Sequence, residues 1–351
     1  MRLLQRTIDK IGRLNQDAMM RASARLDALT HPPGSLGRLE ELAIQLAGIR
    51  GEPQPVFPRK AVIVMAGDHG VTEEGVSPYP QEVTAQMVLN FLAGGAGINV
   101  LARRADARVV VTDIGVAREL PDHRDLRNRR IANGTRNMAR EPAMSREEAV
   151  RSIETGIEVF QEELDKGLDL VATGEMGIGN TTASSAITAV ITGKPVKEVT
   201  GRGTGVDDVG FQRKISVIEQ AIRHNAVNAS DPLEVLAKVG GYEIGGLAGV
   251  ILGAAAARIP VLIDGFISGA AALIAAEIKP ESKMFMIASH CSVERGHRII
   301  LDYLELKPLL QLDLRLGEGT GAAIAMKLVD DAVAIRDQMA TFADAGVSNK
   351  D

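Results

Sequence analysis

A chain of 351 residues can bury one large core, or one large core with a small attached unit. Its apolar (45%) and charged (24%) shares are those of a globular protein, and a net charge of −5 argues against a basic face for nucleic acid. A single cysteine, Cys291, permits no internal disulfide, so a reducing compartment and a cytoplasmic protein are expected.

The first fifteen residues mix charged and polar side chains with leucines and lack the continuous apolar core of a signal peptide. Apolar residues at helical spacing predict one long helix or two shorter ones over residues 3–29. His31-Pro32-Pro33-Gly34-Ser35 ends it, and Ser35 is placed to cap a second helix over 36–49. The run Ala61 to Ala66 then stops at Gly67-Asp68-His69-Gly70. Short continuous apolar runs of this kind suit strands buried on both faces. Others fall at 109–111, 168–172, 261–263 and 284–288, with 311–316 as a sixth candidate. Helical stretches separate them, at 80–91, 146–166, 181–191, 207–228, 242–257, 267–277 and 293–304. Strands alternating with helices predict a doubly wound, mainly parallel sheet. The polar, Arg-rich stretch 118–140 reads as a solvated excursion. The most apolar stretch, 244–263, is broken by Gly, Arg and Pro, so no membrane span is expected. A last helix over 322–342 leaves both chain ends helical, and 1–30 with 330–351 are expected to form a small helical domain beside a large α/β domain, 31–329.

Four clusters, three of them rich in glycine, fall where such a sheet binds ligands, beyond the carboxyl ends of its strands. They are Gly174 to Thr182, Gly201-Arg202-Gly203-Thr204-Gly205, the loop Ser289-His290-Cys291-Ser292, and Gly317-Glu318-Gly319-Thr320-Gly321. Glycine turns opening helices present free N–H groups to an anion. No P-loop and no dinucleotide fingerprint is present, so neither ATP nor NAD chemistry is indicated. Two clusters carry a carboxylate, Glu175 and Glu318. Walled by glycine, either could act as a proton acceptor or simply tie its own loop. His290, Glu294 and His297 have the spacing of a metal-binding helix face, but a helix starting near Ser292 takes His290 off it, so no metal is expected. Asp68-His69 is expected to hold loops, and Cys291 to fill space.

These segments, in this order, resemble the nicotinate-nucleotide–dimethylbenzimidazole phosphoribosyltransferase family. The resemblance is carried by Pro32-Pro33-Gly34-Ser35-Leu36-Gly37, Ala66 to Val71, Gly75-Val76-Ser77-Pro78-Tyr79-Pro80, Asp264-Gly265-Phe266, Ser289 to His297 and the glycine clusters. It implies a six-stranded Rossmann-like sheet with a small helical domain, a homodimer, and no metal or cofactor. It implies phosphoribosyl transfer from nicotinate mononucleotide to 5,6-dimethylbenzimidazole, with inversion, giving α-ribazole 5′-phosphate and nicotinate for the lower ligand of cobalamin. Glu318 would be the catalytic base. Ser77, Pro78, Tyr79, Gln86, Met176 and Leu316 would form the acceptor-base pocket. Glu175 and Gly177 would lie on the nicotinate side, and Gly203, Thr204, Lys214 and Ser292 would bind phosphate. Two rivals fit part of the pattern. A metal-dependent hydrolase would use Asp68, His69, His290 and His297, and a non-catalytic nucleotide sensor would not need a glycine-walled carboxylate.

Overall fold

The computed structural model describes residues 2–203 and 205–348. In chain order the elements are α1 (Arg2–Ile8), α2 (Gln16–Asp27), α3 (Arg38–Arg50), β1 (Lys60–Gly67), α4 (Val83–Leu92), α5 (Gly97–Arg104), β2 (Ala107–Gly115), β3 (Leu126–Asn128), α6 (Arg146–Asp165), β4 (Leu170–Met176) and α7 (Asn180–Thr192). There follow α8 (Val196–Val199), α9 (Asp208–His224), α10 (Pro232–Val239), α11 (Tyr242–Ala256), β5 (Val261–Ile263), α12 (Phe266–Ile278), β6 (Met286–Ala288), α13 (Arg295–Leu304), α14 (Thr320–Gln338) and α15 (Phe342–Ala345).

The six strands are all parallel, in the order β3-β2-β1-β4-β5-β6. The buried runs read as strands for a reason visible in β1. Ala61, Ile63 and Met65 join the core shared with α6, α11 and α12, while Val62, Val64 and Ala66 join the one shared with α3, α5 and α14. Successive side chains alternate faces, so a strand covered by helices on both sides must be apolar throughout. On the first face α6 and α11 approach closely because glycines line the contact. A Cβ on Gly249 would lie 2.0 Å from the Ile153 carbonyl oxygen.

Two expectations need correction. Ser35 does not cap α3. The tight turn at Gly34–Gly37 delays the helix to Arg38, Glu40 accepts the Gly34 and Leu36 N–H groups, and the Ser35 hydroxyl meets His31 Nδ1 at 3.2 Å. The sixth strand is β3, inside the Arg-rich stretch, and residues 311–316 form no strand. β3 is a three-residue edge strand on β2, and Arg127 and the adjacent Arg129 pair with Glu162 and Glu163. A short, half-exposed edge strand carries too few apolar residues to stand out in sequence. Of the two readings of residues 3–29, the pair of shorter helices is the one that forms.

The chain ends meet. Leu29 and Thr341 form an antiparallel bridge, and the Arg25 guanidinium donates to the Arg336 and Met339 carbonyls. Among the described residues one stretch, Val83–Arg104, has the length and hydropathy of a membrane span. It is divided into α4 and α5, which pack against the sheet.

Candidate active site

In this strand order the connections run in opposite directions from β1 and β4, so the sheet's switch point opens between their carboxyl ends. Loop 67–70 after β1 and loop 176–180 after β4 meet there. A Cβ on Gly177 would sit 2.2 Å from the Gly67 carbonyl oxygen, so only glycine lets the two backbones touch.

The loop carrying Glu318 lies across the end of β4. Gly317, Glu318 and Gly319 all have positive φ, at 83°, 63° and 94°. The glycines adopt this freely, whereas for Glu318 it costs about 1 kcal/mol. Its neighbours hold it in place. The Glu175 carboxylate accepts the Glu318 backbone N–H, and Asp264 at the end of β5 accepts the Gly319 and Ala322 N–H groups at 3.2 and 2.9 Å. Asp264 thereby supplies the cap that α14 lacks from its own Gly319. The Glu318 side chain is 5% exposed, and its Oε2 accepts the Ile98 N–H at the start of α5, at 3.1 Å. Among the described residues no donor reaches its Oε1. Burial raises the Glu318 pKa, partly opposed by the Ile98 hydrogen bond. The result is a carboxylate with one oxygen anchored and one free, in an environment that favours taking up a proton.

Three more buried carboxylates lie at the switch point. Glu175 is pushed up to about 8, first by burial, then by the charges of Asp264 and Glu243, against a 2.5 Å hydrogen bond from the Asn180 amide. Burial pushes Asp264 up to about 7, opposed by the N–H groups it accepts. Glu243, in the first turn of α11, meets His69 Nε2 at 2.7 Å with both side chains buried. Desolvation opposes charging of His69, yet Glu243 raises its pKa above the ordinary value. Asp68 Oδ2 accepts the Ala117 N–H, and Thr135 exchanges backbone hydrogen bonds with Asp68 and Gly70. These residues tie the Arg-rich stretch to the switch point.

A cleft of about 80 Å³ runs from Glu175, Leu316 and Gly317 past His290 and Ser292 to Gly203, Glu294 and Arg315. The last three also line a neighbouring cleft of about 320 Å³ with Arg202, Phe211 and Arg295. Lys214 of α9 is buried behind it. Its Nζ donates to Thr181 Oγ1 at 2.7 Å, and Gly203 sits against both groups. Burial brings the Lys214 pKa down to about 8, opposed by the charge of Glu294. The Ser292 hydroxyl donates to the Leu314 carbonyl at 3.0 Å. His290 and His297 are held uncharged by burial, at about 4 and about 3. Helix α13 starts at Arg295, and among the described residues no three His, Cys, Asp or Glu side chains form a metal-binding group.

Of the residues singled out in the sequence, Glu175, Leu316, Gly203 and Ser292 line one cleft, with Glu318 beside it and Lys214 behind it. Ser77, Pro78 and Tyr79 lie on a largely exposed loop, Gln86 on the exposed side of α4 and Met176 half-buried; none of them lines either cleft. That loop nonetheless flanks the switch point, since Gln81 donates to the His69 carbonyl and Thr84 Oγ1 accepts the Ile178 N–H. Gly177 supports the loop crossing and Thr204 lies outside the described residues. Sequence reasoning gave no role to Asp264, Asn180, Glu243 or Arg315. For Asp264 a signal existed, an acidic residue directly after a buried apolar run; for the others contact alone reveals them.

The phosphoribosyltransferase family model matches residues 11–347. The chain is 61% identical to the nicotinate-nucleotide–dimethylbenzimidazole phosphoribosyltransferase of Chloroflexus aggregans, over 100% of this chain and 99% of that one. It is 58% identical to that of Desulforudis audaxviator, over 99% of both. The crystal structure of CobT from Thermus thermophilus superposes with a TM-score of 0.92 at 48% identity, covering 95% of this chain and all of that one. A carboxylate-rich switch point flanked by a cationic cleft thus sits in a chain matched from end to end, and the protein belongs to the nicotinate-nucleotide–dimethylbenzimidazole phosphoribosyltransferase family.

Proposed function

We propose that the enzyme transfers phosphoribose from nicotinate mononucleotide to 5,6-dimethylbenzimidazole, with Glu318 as general base, to make α-ribazole 5′-phosphate for the lower ligand of cobalamin. The observation that carries this reading is the Glu318 carboxylate, buried, fixed through Oε2 and open at Oε1. The acceptor attacks through one imidazole nitrogen while the other still bears a proton, and the product would be a cation unless that proton leaves. A carboxylate in reach of the N–H can take it, a contribution of roughly 10²- to 10⁴-fold. The donor is a pyridinium riboside, whose base departs without its ring charge as the sugar carbon gains oxocarbenium character. Negative charge nearby favours that change. Attack opposite the departing base inverts the anomeric carbon.

The phosphate would sit with Lys214, Gly203 and Ser292, with Thr204 in the same loop, and so position the reactive carbon. Glu175 and Gly177 would face the nicotinate. The acceptor pocket would draw on Ser77, Pro78, Tyr79, Gln86, Met176 and Leu316. Tyr79 and Leu316 are 51% and 60% exposed, and a flat methylated ring would cover such surface. The same proposal includes a cytoplasmic homodimer without metal or cofactor, and a small unit built from residues 1–30 and 330–351, which the bridge between Leu29 and Thr341 supports.

The test is Glu318→Gln. The amide keeps an acceptor for Ile98, so folding and donor binding should hold, while turnover of nicotinate mononucleotide with dimethylbenzimidazole falls about 10²- to 10⁴-fold. A folded variant with full activity would remove Glu318 as base.

A further inference from the structure

Glu294 has no part in the chemistry above, yet its carboxylate accepts no hydrogen bond among the described residues. It occupies the N-cap position of α13 but makes no side-chain capping bond. Its carboxylate turns instead into the region where the two clefts meet, and lines both. The residue is 9% exposed, and Oε2 is buried with no hydrogen-bond partner among the described residues. Oε2 packs on Gly201, where a Cβ would come within 1.7 Å of it. Glycine at that position therefore admits the carboxylate. Lys214 feels its charge but lies beyond ion-pair distance. A buried carboxylate without donors is unfavourable unless something that binds there supplies them.

The surroundings restrict what that something is. A phosphate is repelled by a carboxylate. No metal-binding group of three exists here among the described residues. What the site calls for is a donor of hydrogen bonds, and in the proposed donor nucleotide the ribose hydroxyls supply it. The position agrees: one end of the cleft holds Glu175 and Gly317 beside Glu318, and Glu294 lines the same cleft towards its other end, with Gly203 and Arg315. A phosphorylated pentose that spans the cleft from Glu318 to Lys214 brings its diol within the stretch that Glu294 lines.

We propose that Glu294 binds the ribose of the donor, its carboxylate accepting a hydrogen bond from the 2′- or 3′-hydroxyl. This rests on the phosphoribosyl-transfer reading and adds to it a determinant of ribose over deoxyribose. Such a bond also strengthens as the sugar gains positive charge, so it acts on turnover as well as on donor binding.

The experiment compares wild type, Glu294→Gln and Glu294→Ala with nicotinate mononucleotide and with its 2′-deoxy and 3′-deoxy analogues, following nicotinate release. A hydroxyl bonded to a charged acceptor is worth roughly 10- to 100-fold. In wild type one deoxy donor should lose about that factor in kcat/KM. In Glu294→Ala the riboside should lose a similar factor, and the same deoxy donor little more. Glu294→Gln, which keeps the shape, should fall between and should melt near wild type. Equal losses in the variants for the riboside and both deoxy donors would overturn the proposal, because a residue that merely balances Lys214 acts on all donors alike. Wild-type protein that releases no nicotinate would sink the transfer reading itself, a failure seen before any variant is compared.

Discussion

Replacing Glu175 by Gln should make the protein more stable, and only above acidic pH. In the fold this carboxyl holds its proton up to about 8, because burial and the charges of Asp264 and Glu243 disfavour its ionised form. Unfolded, it ionises near its ordinary 4.5. A carboxyl raised in this way contributes most below pH 4.5 and loses its contribution as pH rises towards 8. At about 1.4 kcal/mol per pH unit, the folded state has given up about 3 kcal/mol by pH 7. Gln has no proton to lose and can still accept from the Glu318 N–H. Its amide must share space with that of Asn180, a small penalty present at every pH. Thermal unfolding of wild type and variant at pH 5 and pH 8, followed by circular dichroism, reads the difference. The midpoints should lie close together at pH 5. At pH 8, where the loss has reached about 4 kcal/mol, the variant should melt about 6 °C higher, given the entropy of unfolding a chain of this length. A gap that does not change with pH, or a variant less stable at pH 8, would refute the picture of a buried protonated Glu175.

Two further outcomes follow from the same geometry. Gly174→Ala would place a Cβ 2.4 Å from the Glu318 carbonyl oxygen, and backbone on both sides leaves little room to yield. It should cost about 1–3 kcal/mol of stability and lower kcat at least roughly tenfold through displacement of the Glu318 loop, as thermal melts and steady-state rates would report; unchanged kcat would contradict the role of this contact. Burial brings Lys214 down to about 8, and in the proposed phosphate site only its charged form would attract the donor. Donor affinity should therefore be full below that pH and weaken as pH rises through it, in KM profiles for the nucleotide. In Lys214→Met the affinity should be uniformly low, without that inflection.

The glycine clusters and the carboxylate among them were legible because they are local. A residue between two glycines, after an apolar run and before a helix, is placed on a tight turn by its neighbours alone. The alternation of buried runs and amphipathic helices likewise set the α/β class, since each run needs cover on both faces. The Arg-rich stretch misled because β3 has almost no apolar signature, while residues 311–316 have one and form no strand.

The order of the strands and everything built on it belongs to the tertiary structure. Glu318 meets Ile98 across 220 positions and Gly319 meets Asp264 across 55. No local pattern encodes which distant group fills a valence. The same holds for charge: Glu175 and Glu318 look alike in sequence, each a carboxylate walled by glycine. Packing separates them, burying Glu175 against two other acids so that it keeps its proton, and leaving one oxygen of Glu318 open. Sequence thus determined which groups stand at the strand ends, through turn chemistry and periodicity. Packing decided what each can do, because burial and nearby charge, not residue type, set where a proton resides.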